Sequence, residues 1–343
     1  MHWKHVEELF EVMSSKNDSH AVVGKSGKKV TIYDLARHTG FSPGTVSRVL
    51  NNKDKVKPET REKILQAAQE LNLKPQVSAR SRQIAIISEP TYTDRIEGYA
   101  ATLTAHLAFA CSRKNMGVVL PSDPFEQLSG KFLDGIIVVT SNEDLLRLVA
   151  EMEDRIPVIY MDHFYGMEDR YRVCSDHYRS GYLAAEYFLQ SGKKKPGFFG
   201  GEGQAFGERL RGFKDALQEA KHTLNDKFYV QAAPGTHQSV ITRLIRAGVD
   251  SVFVPGASFQ AMESLHLLTY IMGLKVPDDV SIIGGENEGI SAIQCPPLTT
   301  VEEPLKDMAE VAVDMLDKCT SGQQIENKSV ILPVRLIERN SVS

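Results

Sequence analysis

The sequence predicts a small all-α helix-turn-helix module followed by a two-lobed α/β body of doubly wound parallel sheets. Three observations lead there. Residues 21–83 carry 13 Lys/Arg against 5 Asp/Glu, a net of +8, while residues 84–343 carry 25 against 35, a net of −10. The overall charge of −4 thus hides a basic module beside an acidic body, a division suited to a nucleic-acid reader with a separate sensing domain. Between residues 31 and 72 apolar side chains recur at helical spacing, broken by a glycine-containing turn. From Ile84 onward, short apolar runs alternate with helical stretches, the pattern of parallel strands buried on both faces.

The totals narrow the class. A chain of 343 residues has room for two or three domains, and 42% hydrophobic with 24% charged residues is ordinary for a globular protein. It contains no apolar run of the roughly 18 residues that would suggest a membrane span. The opening MHWKHVEELFEVM lacks the apolar centre of a secretory leader, so a cytoplasmic location is expected. Cys111, Cys174, Cys295 and Cys319 are far apart, which fits reduced structural thiols better than disulfides or a zinc site.

Taking the elements in order, Val6, Leu9, Phe10 and Met13 share one face of a possible short helix, and VVGKSGKK after it reads as a tether. Residues 1–29 are therefore an extension ahead of a headpiece at 30–75. In TIYDLARHTG, residues 31–40, Ile32, Leu35, Ala36 and Thr39 follow helical spacing, Thr31 can cap the start and Gly40 can stop the helix. Gly40-Phe41-Ser42 makes a turn. Ser42 is a good cap for a second helix and Pro43 fits its first position, where the missing N–H loses nothing. Val46, Val49 and Leu50 then face inward, leaving Gly44, Thr45, Ser47, Arg48 and Asn51 outward. A third helix runs through residues 58–72, opened by Pro58 and packed by Ile64, Leu65, Ala68 and Leu71.

This arrangement is helix-turn-helix architecture, whose second helix enters the major groove. The stretch from Val30 to Pro75 resembles, nearly position for position, the headpiece of the lactose-repressor (LacI/GalR) family of bacterial transcription regulators. The resemblance implies phosphate contacts from Thr31 and Ser42. It also implies operator choice by Pro43 and Gly44, and a contact surface completed by Thr45, Ser47, Arg48 and Asn51. Pro43 and Gly44 offer few polar groups, so base reading should rest on Arg48, whose guanidinium fork suits guanine.

The family follows this headpiece with a hinge that folds on the operator and wedges a leucine pair into the minor groove. Here the hinge, residues 76–83, agrees at Ala79 and Arg80, but Gln76 replaces an asparagine and Arg82 replaces the wedge leucine. A guanidinium can enter a narrow minor groove but cannot pry a base step apart, so a weaker or different bend is expected.

The body spans 84–343. Its expected strands are 84–88, 116–121, 134–140, 157–162, 195–201, 250–256 and 280–285, with helices at 98–114, 178–191, 208–220, 237–247, 258–272 and 304–320. Two βα sets in tandem place a ligand cleft at the strand ends. DGIIVV, IPVIYMD, ERLRGFKDAL and VPDDVSIIGGENEGISAIQCPPLTTV extend the family resemblance to its effector domain, itself similar to periplasmic sugar-binding proteins. That resemblance implies effector contacts from Arg209, Glu286, Asp162 and Glu89, groups that suit sugar hydroxyls or an acidic ligand. Ala257 and Ser258 stand where the family has a polar pair, and GGEN replaces its aromatic-plus-Asp pattern, so the ligand is either unusual or loosely held.

Other chemistries find little support. GGEGQAFG lacks the Lys-Ser/Thr of a phosphate loop, no G-x-S-x-G elbow occurs, and His163, Cys174 and His177 lack metal-ligand spacing. No catalytic residue, metal or cofactor is expected. The expected function is a sequence-specific DNA-binding regulator, most readily a repressor. It would act as a homodimer on a double-stranded pseudo-palindromic operator, with affinity modulated by a carbohydrate-like effector and without membrane association. The competing reading is a small-molecule binding protein or enzyme on the same lobes, with the basic module incidental.

Overall fold

Thr31 caps the first helix in the computed structural model of the chain, which describes residues 31–50, 56–71, 82–89, 98–128, 133–154, 156–162, 169–201, 203–223, 225–231, 237–256, 259–286 and 289–343. The chain divides into two units, Met1–Ser81 and Arg82–Ser343. The expected extension at 1–29 and most of the hinge, including Ala79 and Arg80, lie outside the described residues, as does Asn51.

In the first unit, helices α1 (Ile32–Thr39), α2 (Pro43–Leu50) and α3 (Pro58–Glu70) follow the expected order. Thr31 and Asp34 cap α1 reciprocally: each side chain accepts from the other's backbone N–H, at 3.4 and 2.9 Å. Gly40 takes the left-handed conformation, φ +73°, and donates its N–H to the Ala36 carbonyl, which ends α1. Ser42 Oγ accepts from the Thr45 N–H at 3.1 Å and starts α2. Leu35, Ala36, Val46, Val49, Leu50, Ile64, Ala67 and Ala68 form one buried cluster, with Leu71 packed against it. The side chain of Leu65 lies outside the described residues.

The second unit holds two six-stranded sheets. The first lobe orders its strands β11-β5-β4-β3-β1-β2, from β1 (Gln83–Ser88), β2 (Gly117–Val119), β3 (Gly135–Val139), β4 (Val158–Met161), β5 (Tyr171–Ser175) and β11 (Ser329–Leu332), all parallel. The second lobe orders β12-β10-β9-β8-β6-β7, from β6 (Pro196–Gly200), β7 (Tyr229–Gln231), β8 (Ser251–Val254), β9 (Ser281–Gly285), β10 (Thr299–Glu302) and β12 (Arg335–Ile337). Only β12 runs antiparallel in it.

Helices α4 (Gly98–Arg113), α5 (Pro124–Gln127), α6 (Glu143–Ala150), α7 (His177–Gln190), α8 (Gln204–Glu219), α9 (His237–Ala247), α10 (Gln260–His266) and α11 (Leu305–Thr320) complete the unit. The expected helix at 258–272 is α10 followed by a π turn, Leu267–Ile271. Strands β5, β7, β10, β11 and β12 and helices α5 and α6 were not expected from the sequence.

The chain passes between lobes at three places. β5 of the first lobe leads to α7, whose Ala184, Ala185 and Phe188 pack in the second lobe. β10 of the second lobe leads to α11, whose Met308, Ala309, Ala312 and Leu316 pack in the first. β11 leads to β12. The first and third passages touch, with the Asp176 N–H donating to the Leu332 carbonyl at 2.9 Å.

Candidate nucleic-acid interface and effector site

The first surface is built by α2. Its apolar face is sealed by Val46, Val49 and Leu50, so the 3.6-residue period turns Ser42, Pro43, Gly44 and Arg48 outward, with Thr45 and Ser47 half-buried beside them. Arg48 makes no ion pair among the described residues. The Ser42 hydroxyl is engaged twice, by the Thr45 N–H and at 2.9 Å by the Thr45 hydroxyl. Thr31 likewise donates its hydroxyl to Asp34 at 2.7 Å. Tyr33, 68% exposed on α1, is a further candidate that apolar periodicity passed over, because an outward aromatic breaks no helical pattern.

The second site is a buried polar network where the lobes join. Asp162 follows β4 in the left-handed region, φ +55°, a conformation Asp tolerates better than most residues. Its Oδ1 accepts from the Ser175 N–H at 3.1 Å and lies 3.2 Å from His177 Nε2, and its Oδ2 accepts from the Tyr99 hydroxyl. Ser175 Oγ donates to Glu303 Oε2 at 3.1 Å, and Arg209 Nη2 donates to Glu303 Oε1 at 2.5 Å. Ser175 ends β5, His177 starts α7 and Glu303 follows β10, so the network ties two of the three chain passages to α4 of the first lobe and α8 of the second.

Burial raises the Asp162 carboxyl, but the His177 charge and the hydrogen bonds from His177, Tyr99 and Ser175 outweigh it and hold the group below the usual carboxylate range. Burial, then the Asp162 and Glu303 charges, pushes the Tyr99 phenol well above its ordinary value and keeps it a donor. Ligand atoms of Asp162, His177 and Glu303 lie within 4.8 Å of one another, a donor set that can ligate a metal. Arg209 already supplies the cation beside Glu303, however, and every carboxylate oxygen of the set has a partner.

Arg209 is positioned by backbone contact. A Cβ on Gly181 of α7 would sit 1.8 Å from the Arg209 carbonyl oxygen, and one on Gly212 of α8 would sit 1.9 Å from that of Tyr178. Only glycines let the two helices cross this closely. The guanidinium stacks 5.3 Å from the Phe206 ring, and its buried Nε has no hydrogen-bond partner among the described residues.

Residues 31–76 match the bacterial regulatory proteins of the lacI family, and residues 185–342 match a periplasmic binding protein-like domain. A solved transcriptional regulator CelR–cellobiose complex is similar at a TM-score of 0.68 and 24% identity, covering 91% of this chain and 99% of that one. The HTH-type transcriptional regulator DegA of Bacillus subtilis (strain 168) is 29% identical, covering 92% of this chain and 98% of its own. The HTH-type transcriptional repressor PurR of Haemophilus influenzae (strain PittEE) is 31% identical over 339 residues, 91% of this chain and 98% of its own. The chain belongs to the LacI family.

As a LacI-family member it is a sequence-specific DNA-binding transcriptional regulator. Of the four expected effector residues, Asp162 and Arg209 join one network, linked through Ser175 and Glu303. Glu89, at the end of β1, is half-buried and accepts from Thr140 Oγ1 at 3.4 Å. Glu286, after β9, accepts from Arg339 Nη1 at 2.9 Å and from the Thr300 hydroxyl, so this carboxylate braces the second lobe internally. Sequence spacing missed His177 and Glu303, which the two passages bring in from 126 residues apart in numbering.

Arg82, expected at the operator, has partners on the body. Its Nη1 lies 2.6 Å from Asp317 Oδ1 and donates to Thr320 Oγ1 at 2.6 Å, so α11 holds the side chain on the body. Burial raises the Asp317 carboxyl, but Lys114 and Arg82 overcome this and lower it.

Proposed function

We propose that this LacI-family regulator is a repressor that binds a pseudo-palindromic operator as a homodimer in the cytoplasm, with its affinity set by a carbohydrate-like molecule held between the lobes. The outward face of α2 carries the proposal: on a headpiece of net positive charge it presents Arg48 to the major groove with Thr45 and Ser47 alongside. Thr31, Ser42 and Tyr33 are assigned phosphate contacts, and Pro43 and Gly44 close approach to the bases; the exposure of all five supports this assignment.

Dimerisation is supported by symmetry, since one headpiece reads a half-site and a two-fold pair reads a palindrome. Apolar side chains exposed on both lobes offer a seam for a second copy. Phe109, Leu120 and Phe125 stand on the first lobe; Phe259 and Ile271 border a groove on the second, and Tyr270 is exposed next to Ile271. The ligand site is supported by Asp162 and Arg209 beside the lobe passages, where a bound molecule would bias one lobe arrangement over another. Among the described residues no helix is long and apolar enough to cross a membrane.

Selection of bound DNA from a random pool, with and without sugars and sugar acids, tests the proposal. It should yield one palindrome whose half-sites are about one helical turn apart, or a multiple of that, and whose recovery changes with one class of compound. Recovery of unrelated sequences under every condition would contradict it.

A further inference from the structure

The Arg209–Glu303 pair bears on what kind of molecule the site accepts. Arginine is the natural anchor for an acidic ligand, because its fork of donors matches a carboxylate or phosphate. Here the chain's own carboxylate has taken that place. The two side chains are only 5% and 4% exposed and lie 2.5 Å apart. Glu303 is itself held by Ser175, and Asp162 adds a second carboxylate to the same network.

An incoming acid would therefore share one guanidinium with Glu303, close to Asp162, with little water to screen three negative groups. Glu303 takes one of the five N–H donors of Arg209, and among those left is Nε–H, a buried donor with no acceptor among the described residues. A neutral oxygen satisfies such a donor without adding charge. A hydroxyl can accept from Nε–H and donate to a carboxylate oxygen, which an ionised acid group cannot do.

We propose that Glu303 is a specificity-determining residue that closes this site to anionic ligands and leaves it to uncharged or amine-bearing polyhydroxy compounds. The proposal rests on the reading of the Arg209–Asp162 region as the effector site. It separates the two ligand classes, sugars and sugar acids, that the sequence leaves open.

The experiment uses the full chain, with sodium gluconate as the acidic probe and sodium chloride at equal ionic strength as the control. Thermal melting is followed for the wild type, Glu303→Gln and the double variant Arg209→Met/Glu303→Gln, each checked for native circular dichroism. Gluconate should raise the melting temperature of Glu303→Gln with a half-saturating concentration at least tenfold below that of the wild type. The double variant should lose the effect. A wild type that takes up gluconate as readily as Glu303→Gln, or a folded Glu303→Gln that gains nothing, would overturn the proposal.

A second measurement on the unaltered protein holds even where the variants fold poorly. Release from the selected operator is compared for glucose against gluconate and ribose against ribonate. Release by an acid and not by its neutral counterpart overturns the charge filter while leaving the effector reading intact. Gluconate uptake by Glu303→Gln through Arg209, with no compound of either class changing operator release, upholds the filter and removes the effector reading.

Discussion

Gly181 of α7 meets the backbone of Arg209 on α8 so closely that an added Cβ would lie 1.8 Å from the arginine carbonyl oxygen. The contact fixes the distance between the helix that begins at His177 and the helix that carries Arg209, and so sets the geometry of the buried network. Gly181→Ala must push the helices apart, at a cost of about 1–3 kcal/mol. Gly207, also on α8, has nothing within 4 Å of a Cβ, so Gly207→Ala should be neutral or stabilise by up to about 1 kcal/mol through helix propensity. Denaturant unfolding of the two variants checks the contrast, and equal midpoints would refute the close-contact account.

On the headpiece, Gly44 and Arg48 should behave oppositely. A Cβ on Gly44 meets only Ser42 Oγ, at 3.9 Å, so Gly44→Ala fits α2 and leaves the melting temperature unchanged or higher. Arg48→Ala should also leave folding alone, since the side chain is exposed, yet it should lose about 1–3 kcal/mol of preference for the operator over a changed half-site. Competition binding with single-base operator variants measures this directly.

How far these features were legible in the sequence depends on whether the determining groups are local. Thr31, Gly40, Ser42 and Pro43 act within a few residues of themselves, so the ends of α1 and α2 could be read in advance. Apolar runs such as Ile136-Ile137-Val138 announce central strands. β5, with Tyr171 and Arg172 at its start, and β10, Thr299–Glu302, are short and partly polar, and only pairing with neighbouring strands makes them strands. Glu303 follows one of these unread strands, so nothing local marks it as the partner of Arg209, 94 residues earlier. Arg82 was legible as a charge but not as the partner of Asp317, 235 residues away.

Acid should weaken the network through Asp162. Its folded pKa lies below the unfolded value of about 3.9, so its contribution is full above that value and is lost as pH falls through the folded one. Asp317, lowered as well, contributes in the same direction. Asp162→Asn should therefore flatten, without abolishing, the loss of unfolding free energy between about pH 5 and about pH 3. Chemical denaturation across that interval checks the sign; an acid limb as steep as that of the wild type would speak against it.

The Arg82–Asp317 pair predicts that Arg82 serves the body more than the operator. Both side chains are about one-third exposed, so Arg82→Ala should destabilise the body by no more than about 1 kcal/mol. Its salt dependence of operator binding should match that of the wild type. A slope reduced by about one would instead assign Arg82 a phosphate contact.

The central claim is that this chain reads DNA sequence through the outward face of α2. Its most direct test is affinity for the selected palindrome and for a scrambled duplex, measured against salt concentration with the wild type and Arg48→Ala. The account predicts a steep negative slope for the wild type on both duplexes, a preference for the palindrome on the order of 1000-fold or more, and loss of much of that preference in Arg48→Ala. A flat slope, or equal affinity of the wild type for both duplexes, would contradict it.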